Sequence, residues 1–228
     1  MPIIVAIDGP SASGKSTVSR RVAQRLDYIH VDSGALYRGV TWCFLIRNIK
    51  LPAADTAVIT AALKQMRMDF LVRDNTIKFS IDGVEPDAEL RSEAVNNTVS
   101  QIAALPAVRE WIVNKLRKMP EFGDLVMEGR DIGTVVFPEA ACKFYLDAAP
   151  EERARRRYFE TAGVNKNLTY DDILRSILKR DGIDSSRAMA PLKLAPGAVV
   201  IQSTKMSIDE VVDFIVSEVQ RSLLKVYG

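Results

Sequence analysis

The alternation of apolar and polar positions along the chain predicts short buried strands separated by amphipathic helices. Ile3 to Ile7 is an unbroken apolar run with β-branched residues, the pattern of a strand covered on both faces. Val18, Val22 and Leu26 follow at spacings of four, which puts one apolar stripe on a helix. Tyr28 to Val31 is a second short run ending at Asp32, and Ser33 caps a helix whose apolar face carries Leu36, Val40 and Phe44. Pro52 and Asp55 mark a loop and a new start, before a helix with Val58, Ile59, Ala62, Leu63 and Met66. There the period changes. Met68 to Val72 and Thr76 to Ile81 read as an antiparallel hairpin through Arg73-Asp74-Asn75, with Asp82-Gly83 as a turn signal. It breaks the strand–helix alternation and is read as an insertion.

The alternation then resumes. Leu90 to Leu105 reads as helical, and Pro106 suits the first position of a helix carrying Val108, Ile112 and Leu116, where Trp111 is a packing residue rather than a platform for a base. Leu125-Val126-Met127 is a buried strand running into Glu128-Gly129-Arg130-Asp131, and Lys143 to Asp147 is the next. Pro150-Glu151-Glu152 opens a helix that becomes strongly basic at Arg153, Arg155, Arg156 and Arg157. Gly163 to Asn167 is a polar loop, and Thr169 with Asp172 starts a helix through Arg180. Ala198 to Ile201 is a last strand. Ser207 and Glu210 form a capping box for a terminal helix lined by Val211, Val212, Ile215, Val219 and Leu223. This order predicts an α/β fold: a five-stranded parallel sheet with helices on both faces, a small antiparallel insertion and a short lid. In such sheets ligands collect beyond the carboxyl ends of the strands. The polar clusters Asp8–Thr17, Asp32–Arg38 and Glu128–Asp131 all follow strand ends, so one cleft can hold them.

The first cluster contains Gly9-Pro10-Ser11-Ala12-Ser13-Gly14-Lys15-Ser16, which fits G-x-x-x-x-G-K-[ST] with a strand before it and a helix after it. The glycines let the backbone fold into a nest of N–H groups, and the helix starting at Lys15 turns its positive dipole end to the same anion. Lys15 adds a charge near the β- and γ-phosphates, and the Ser16 hydroxyl can ligate Mg²⁺. Gly9 through Thr17 are therefore the expected nucleoside triphosphate site, in a fold of the P-loop NTPase type.

Composition narrows the setting. A length of 228 residues suits one domain with an insertion, and a net charge of +2 gives no bulk argument for nucleic acid or an anionic membrane. No apolar run approaches the ~20 residues of a membrane span and no charged-then-apolar leader opens the chain, so a cytoplasmic enzyme is expected. One histidine, His30, read as a strand-end residue, argues against a His-based metal site. Cys43 and Cys142 are expected to be buried free thiols.

The second cluster, Asp32-Ser33-Gly34-Ala35-Leu36-Tyr37-Arg38, reads as a second phosphate receptor, with Ser33 at a helix N-terminus and Arg38 one turn in; the alternative is an ordinary cap with a surface arginine. Arg130 is either a cleft cation or the partner of Glu128 or Asp131. Arg180, Asp184 and Arg187 share a helix face, either as surface ion pairs or as a row along the cleft. Arg153 to Arg157 is either a solvated basic face or a mobile cover for the transferring phosphoryl group. Arginines beside a phosphate loop, with no obvious general base, suit phosphoryl transfer. Two rivals are a kinase for another small acceptor and a nucleotide-dependent switch that contacts nucleic acid through its basic helix.

The segments GPSASGKST, DSGALYR, SQIAALPAVRE, EGRDIGTVVFP, ERARRR and RDGIDSSRAMAPL, in that order, resemble bacterial cytidylate kinase over essentially the whole chain. The resemblance implies ATP-dependent phosphorylation of CMP and dCMP with Mg²⁺ by a cytoplasmic monomer, without nucleic-acid or membrane partners. It implies a single domain with a core (1–32, 106–152, 168–228), a CMP-binding region containing the hairpin (33–105) and a lid (153–167). By motif, Ser33, Arg38 and Arg130 would hold the CMP phosphate, and Ser100, Arg109 and Asp131 would surround cytosine with Arg187 nearby. Arg180 and Asp184 would grip the ribose, while Lys15, Arg130 and Arg156 would act on the transferring phosphates. Ala12 stands where many members carry glycine and asks for a backbone angle open to alanine; Glu139 stands where aspartate is common.

Overall fold

In the computed structural model, which describes residues 2–49, 56–161 and 169–227, strand β1 (Ile4–Asp8) is paired in parallel on both sides. Its neighbours are β5 (Leu125–Gly129) and β6 (Cys142–Asp147). Val5, Ala6 and Ile7 are completely buried, and successive side chains point to opposite faces. Val5 and Ile7 enter the core made with helices α1 (Lys15–Leu26) and α8 (Ile208–Tyr227); Ala6 enters the core on the other side. That second core is built from α2 (Ser33–Ile46), α3 (Thr56–Gln65), α4 (Glu93–Ile102) and α5 (Pro106–Leu116). Helices therefore cover both faces, as the strand pattern requires.

The sheet continues outward through β2 (Ile29–Asp32) beside β5 and through β7 (Val199–Gln202) beside β6, all in parallel. These are the five expected parallel strands. The hairpin, β3 (Met68–Arg73) and β4 (Thr76–Ile81), is antiparallel as expected but is not set apart from the sheet. β4 meets β2 in parallel through the single register pair His30–Thr76, and the order becomes β3-β4-β2-β5-β1-β6-β7. An unpaired β2 edge would expose backbone donors and acceptors; the hairpin covers it, and Ile77, Phe79 and Ile81 bury against α2.

Several boundaries differ from the pattern for identifiable reasons. Asp32, not Ser33, caps α2, its carboxylate accepting from the Ala35 N–H at 3.1 Å, which leaves the Ser33 hydroxyl free to bond elsewhere. The predicted helix from Leu90 to Leu105 is broken: a short 3₁₀ turn (Ala88–Arg91) precedes α4, which Ser92 caps. Helices α6 (Pro150–Thr161) and α7 (Tyr170–Ser186) pack on each other through Ala154, Ile173 and Ile177, and Thr169 with Asp172 forms the capping box of α7. Pro52, Asp55 and the loop Gly163–Asn167 lie outside the described residues. Cys43 and Cys142 are buried free thiols, and no helix among the described residues is long and apolar enough to cross a membrane.

Candidate active site

Glycine is required where the phosphate loop leaves β1. Gly9 has φ 152°, and a Cβ there would overlap the Leu146 carbonyl oxygen on β6. Ala12 has φ 58°, in the left-handed region, which corrects the expectation of an angle open to alanine and costs roughly 1–2 kcal/mol. Lys15 is buried and curls back, its Nζ donating to the Pro10 carbonyl at 2.6 Å and the Ser13 hydroxyl at 3.2 Å. Burial, and then the nearby Arg130 charge, lower its pKa to about 7. A triphosphate entering the loop would reverse that shift by supplying the missing negative charge.

Ser16 at the start of α1 donates to Glu128 Oε2 at 2.9 Å, and the other carboxylate oxygen lies 3.3 Å from His30 Nε2. Asp32 stands close enough that the Glu128 charge adds to burial in raising its pKa. A hydroxyl and carboxylates are the hard oxygen donors Mg²⁺ takes when phosphates and water supply the rest of its coordination. The residues therefore fit such an ion. Glu128 and Asp32 drew no metal-binding role from sequence reasoning; the signal was available, since Asp32 ends β2 and Glu128 stands one residue before the end of β5, the strand paired with β1. His30 is not a strand-end residue but the second residue of β2, buried behind Glu128.

The residues expected to receive a second phosphate lie on α2, just after β5 and on α7. The Ser33 hydroxyl donates to the Glu128 carbonyl at 2.6 Å, and Arg38, one turn along α2, donates to Asn96 of α4 at 2.7 Å. Arg130 turns away from Glu128 and Asp131 and pairs with Asp184 on α7 at 2.9 Å. Asp184, which is buried, also holds Arg187 just after α7, so the row is not a set of surface ion pairs. Arg180 completes the row; burial, followed by repulsion from Arg130, lowers its pKa to about 9. Four guanidinium groups, of Arg38, Arg130, Arg180 and Arg187, thus lie near one another, and among the described residues Asp184 is the carboxylate in direct ion-pair contact, with Arg130 and Arg187. An anion would relieve the excess.

Asp131 follows directly and is buried in an ion pair with Arg109 of α5, whose guanidinium also donates to the Ala103 carbonyl and lies 5.6 Å from the Tyr37 ring centre. Burial raises the Asp131 pKa and Arg109 opposes it. The Tyr37 hydroxyl, in the same surroundings, is buried without a hydrogen-bond partner. Sequence reasoning missed Tyr37, although it stands four residues after Ser33 on the same helix face. Ser100 is buried on α4, one turn beyond Asn96.

The basic run on α6 divides. Arg153 is buried, donates to the Ala148 and Ser11 carbonyls and pairs with Asp181 at 2.5 Å, so it is not on a solvated basic face. Asp181 in turn accepts from the Ser11 N–H at 3.0 Å, so α6 and α7 together clasp the phosphate loop. Arg156 bonds Glu152 and the Ser203 carbonyl and lies 3.9 Å from where a Cβ on Gly14 would stand, over the loop. Arg155 pairs with Glu152 and Arg157 with Glu160 on the exposed side.

The site thus sets a phosphate loop on one side and a cluster of guanidinium groups with a buried polar pair on the other. Comparison with known proteins agrees with that reading. The family model for cytidylate kinase matches residues 5–221. A cytidylate kinase of Fusobacterium nucleatum is 40% identical over 96% of this chain and 98% of its own. One of Desulforamulus reducens is 42% identical, covering 95% and 96%. Among solved structures, an uncharacterized protein of Eubacterium ventriosum aligns over 96% of this chain and 98% of its own with TM-score 0.53 at 12% identity, a likeness of fold alone. Matched along nearly its entire length, the chain belongs to the cytidylate kinase family and is a kinase acting on nucleoside monophosphates.

Proposed function

We propose that the enzyme moves the γ-phosphoryl group of ATP to CMP and dCMP, giving CDP and dCDP. The observation that carries this reading is the buried Arg109–Asp131 pair beside the second anion receptor. Cytosine presents an amine donor and two acceptors on its pairing edge, which suits an aspartate next to an arginine. Uracil would bring a carbonyl against the Asp131 carboxylate. Ser33, Arg38 and Arg130 hold the acceptor phosphate, Arg180 and Asp184 the ribose, and Ser100 and Arg187 flank the base.

The reaction needs little covalent help from the protein. A phosphate oxygen of CMP, already ionised, forms a bond to the γ-phosphorus while the bond to the β–γ bridging oxygen breaks, and ADP leaves with that electron pair. Lys15 and the loop N–H groups bind the donor phosphates, Arg130 aligns the acceptor oxygen, and Arg156 comes down over the same phosphates and excludes water. Ser16 and Glu128, with Asp32 behind, would hold Mg²⁺, which neutralises phosphate charge when bound. Action as a cytoplasmic monomer belongs to the same reading.

The test is coupled-assay kcat/KM for CMP, dCMP, UMP and AMP with ATP and Mg²⁺. CMP and dCMP should exceed UMP by about 10–100-fold, the value of one buried mispairing of 1–3 kcal/mol. Equal rates on UMP or AMP would overturn the cytosine assignment. The Tyr37 hydroxyl belongs to the bound nucleotide in this scheme. Tyr37→Phe should therefore raise KM for CMP by roughly 2–10-fold, one hydrogen bond, with no loss of melting temperature. A lower melting temperature with unchanged KM would return that hydroxyl to the core.

A further inference from the structure

Asp131 occupies the N-cap position of the short π-turn Ile132–Val136, where an aspartate ordinarily folds back to accept from the first backbone N–H groups of its own turn. It does not do so here; its carboxylate is in the ion pair with Arg109. The N–H groups of Ile132 and Gly133 are instead taken by Asp8, the last residue of β1, one by each carboxylate oxygen and both at 2.8 Å. Asp8 is 3% exposed and precedes Gly9 of the phosphate loop directly. The far end of the turn is held by Arg117, which donates to the Val135 and Val136 carbonyls.

We infer that Asp8 is a positioning residue for base selection: by capping the turn in place of Asp131, it keeps the Asp131 carboxylate turned to Arg109 and the base. It also ties the acceptor-side loop to the strand that carries the donor loop, so both halves of the cleft move as one piece. The geometry requires a carboxylate. Here each N–H meets a different oxygen, whereas an asparagine in the same place offers one oxygen and an NH₂ that would face the second N–H. That N–H would be orphaned in a buried place, and the Asp131 carboxylate, on the residue that caps the same turn, is positioned by sequence to take it. Burial raises the Asp8 pKa to about 6 against the pull of the two N–H groups, so at neutral pH both oxygens accept.

The inference rests on the proposed reading of CMP as acceptor, and its test separates the two. Asp8→Asn should lower kcat/KM for CMP by about 10-fold or more and shrink the CMP-over-UMP ratio by at least about 5-fold, while KM for ATP stays within about 2-fold. A purely structural role would lower stability and leave the ratio unchanged, and that outcome overturns the inference alone. A wild type without CMP preference overturns both readings. Should Asp8→Asn not fold, amide exchange on the nucleotide-free wild type decides: Ile132 and Gly133 should already exchange as slowly as the β5 amides. Fast exchange at those two amides, slowed only by CMP, would show that the nucleotide and not Asp8 orders the turn, and would overturn the inference.

Discussion

Replacing Lys15 by alanine is expected to lower kcat by about 10²–10³-fold or more without lowering the stability of the nucleotide-free protein. The first half follows from charge. Phosphoryl transfer is catalysed largely by positioning and electrostatics, and in the proposed reaction Lys15 is the cation of the loop that would receive the donor phosphates. The second half follows from burial. The ammonium is enclosed with, among the described residues, the Pro10 carbonyl and Ser13 hydroxyl as hydrogen-bond partners, and its pKa falls from 10.5 to about 7. Between those values the unfolded chain binds the proton that the folded chain has released. Stability therefore rises with pH across that window, and below about 7 the full cost of burying the charge is present. Thermal melts should show a rise for wild type between pH 7 and 9 that is absent in Lys15→Ala. A variant with near-normal kcat would remove Lys15 from the mechanism.

Asp131→Asn is expected to reverse the preference between CMP and UMP. The buried Arg109 guanidinium has only donors, so it takes the asparagine carbonyl oxygen and leaves the NH₂ facing the base. An NH₂ opposes the cytosine amine and suits the uracil carbonyl. Activity on CMP should fall by about 10²-fold or more, counting a lost charged hydrogen bond and a new donor–donor clash, while activity on UMP holds or rises. Asparagine is the informative change. Alanine would strand the Arg109 charge in the core, at a cost of about 3–5 kcal/mol, and confound selectivity with unfolding. Parallel kcat/KM values for both nucleotides, beside a melting curve, check the point; equal losses on the two would sink the base-reading role of Asp131.

The parts of this fold legible from the chain are those governed by local periodicity. The β1 run and the phosphate loop, the four-residue stripe of α1, Pro106 opening α5 and the capping boxes of α7 and α8 each depend on residues within one turn or strand. Boundaries missed by a residue or two, as at β2 and the start of α2, turned on competition between neighbours: Asp32 outcompeted Ser33 for the cap because the Ser33 hydroxyl had the Glu128 carbonyl to bond. The hairpin was legible as a hairpin, but not its docking on β2, because an edge pairing through one register position leaves no local trace.

Ion-pair partners were the least legible of all. From spacing, Arg130 had Glu128 and Asp131 within reach, yet its partner is Asp184, 54 residues away; Asp131 chose Arg109. Arg153 read as one of four equivalent cations on α6, and only the approach of Asp181 and the Ser11 carbonyl makes it the buried one. The chain by itself determined the order of strands and helices, the phosphate loop and the residue types available to the cleft, because these depend on short-range pattern and on chemistry carried in single side chains. The tertiary structure alone decided which charges are paired and buried, and that Asp8 holds the turn behind Asp131, because desolvation and hydrogen-bond geometry are set by groups brought together from different elements, 22 to 125 residues apart along the chain.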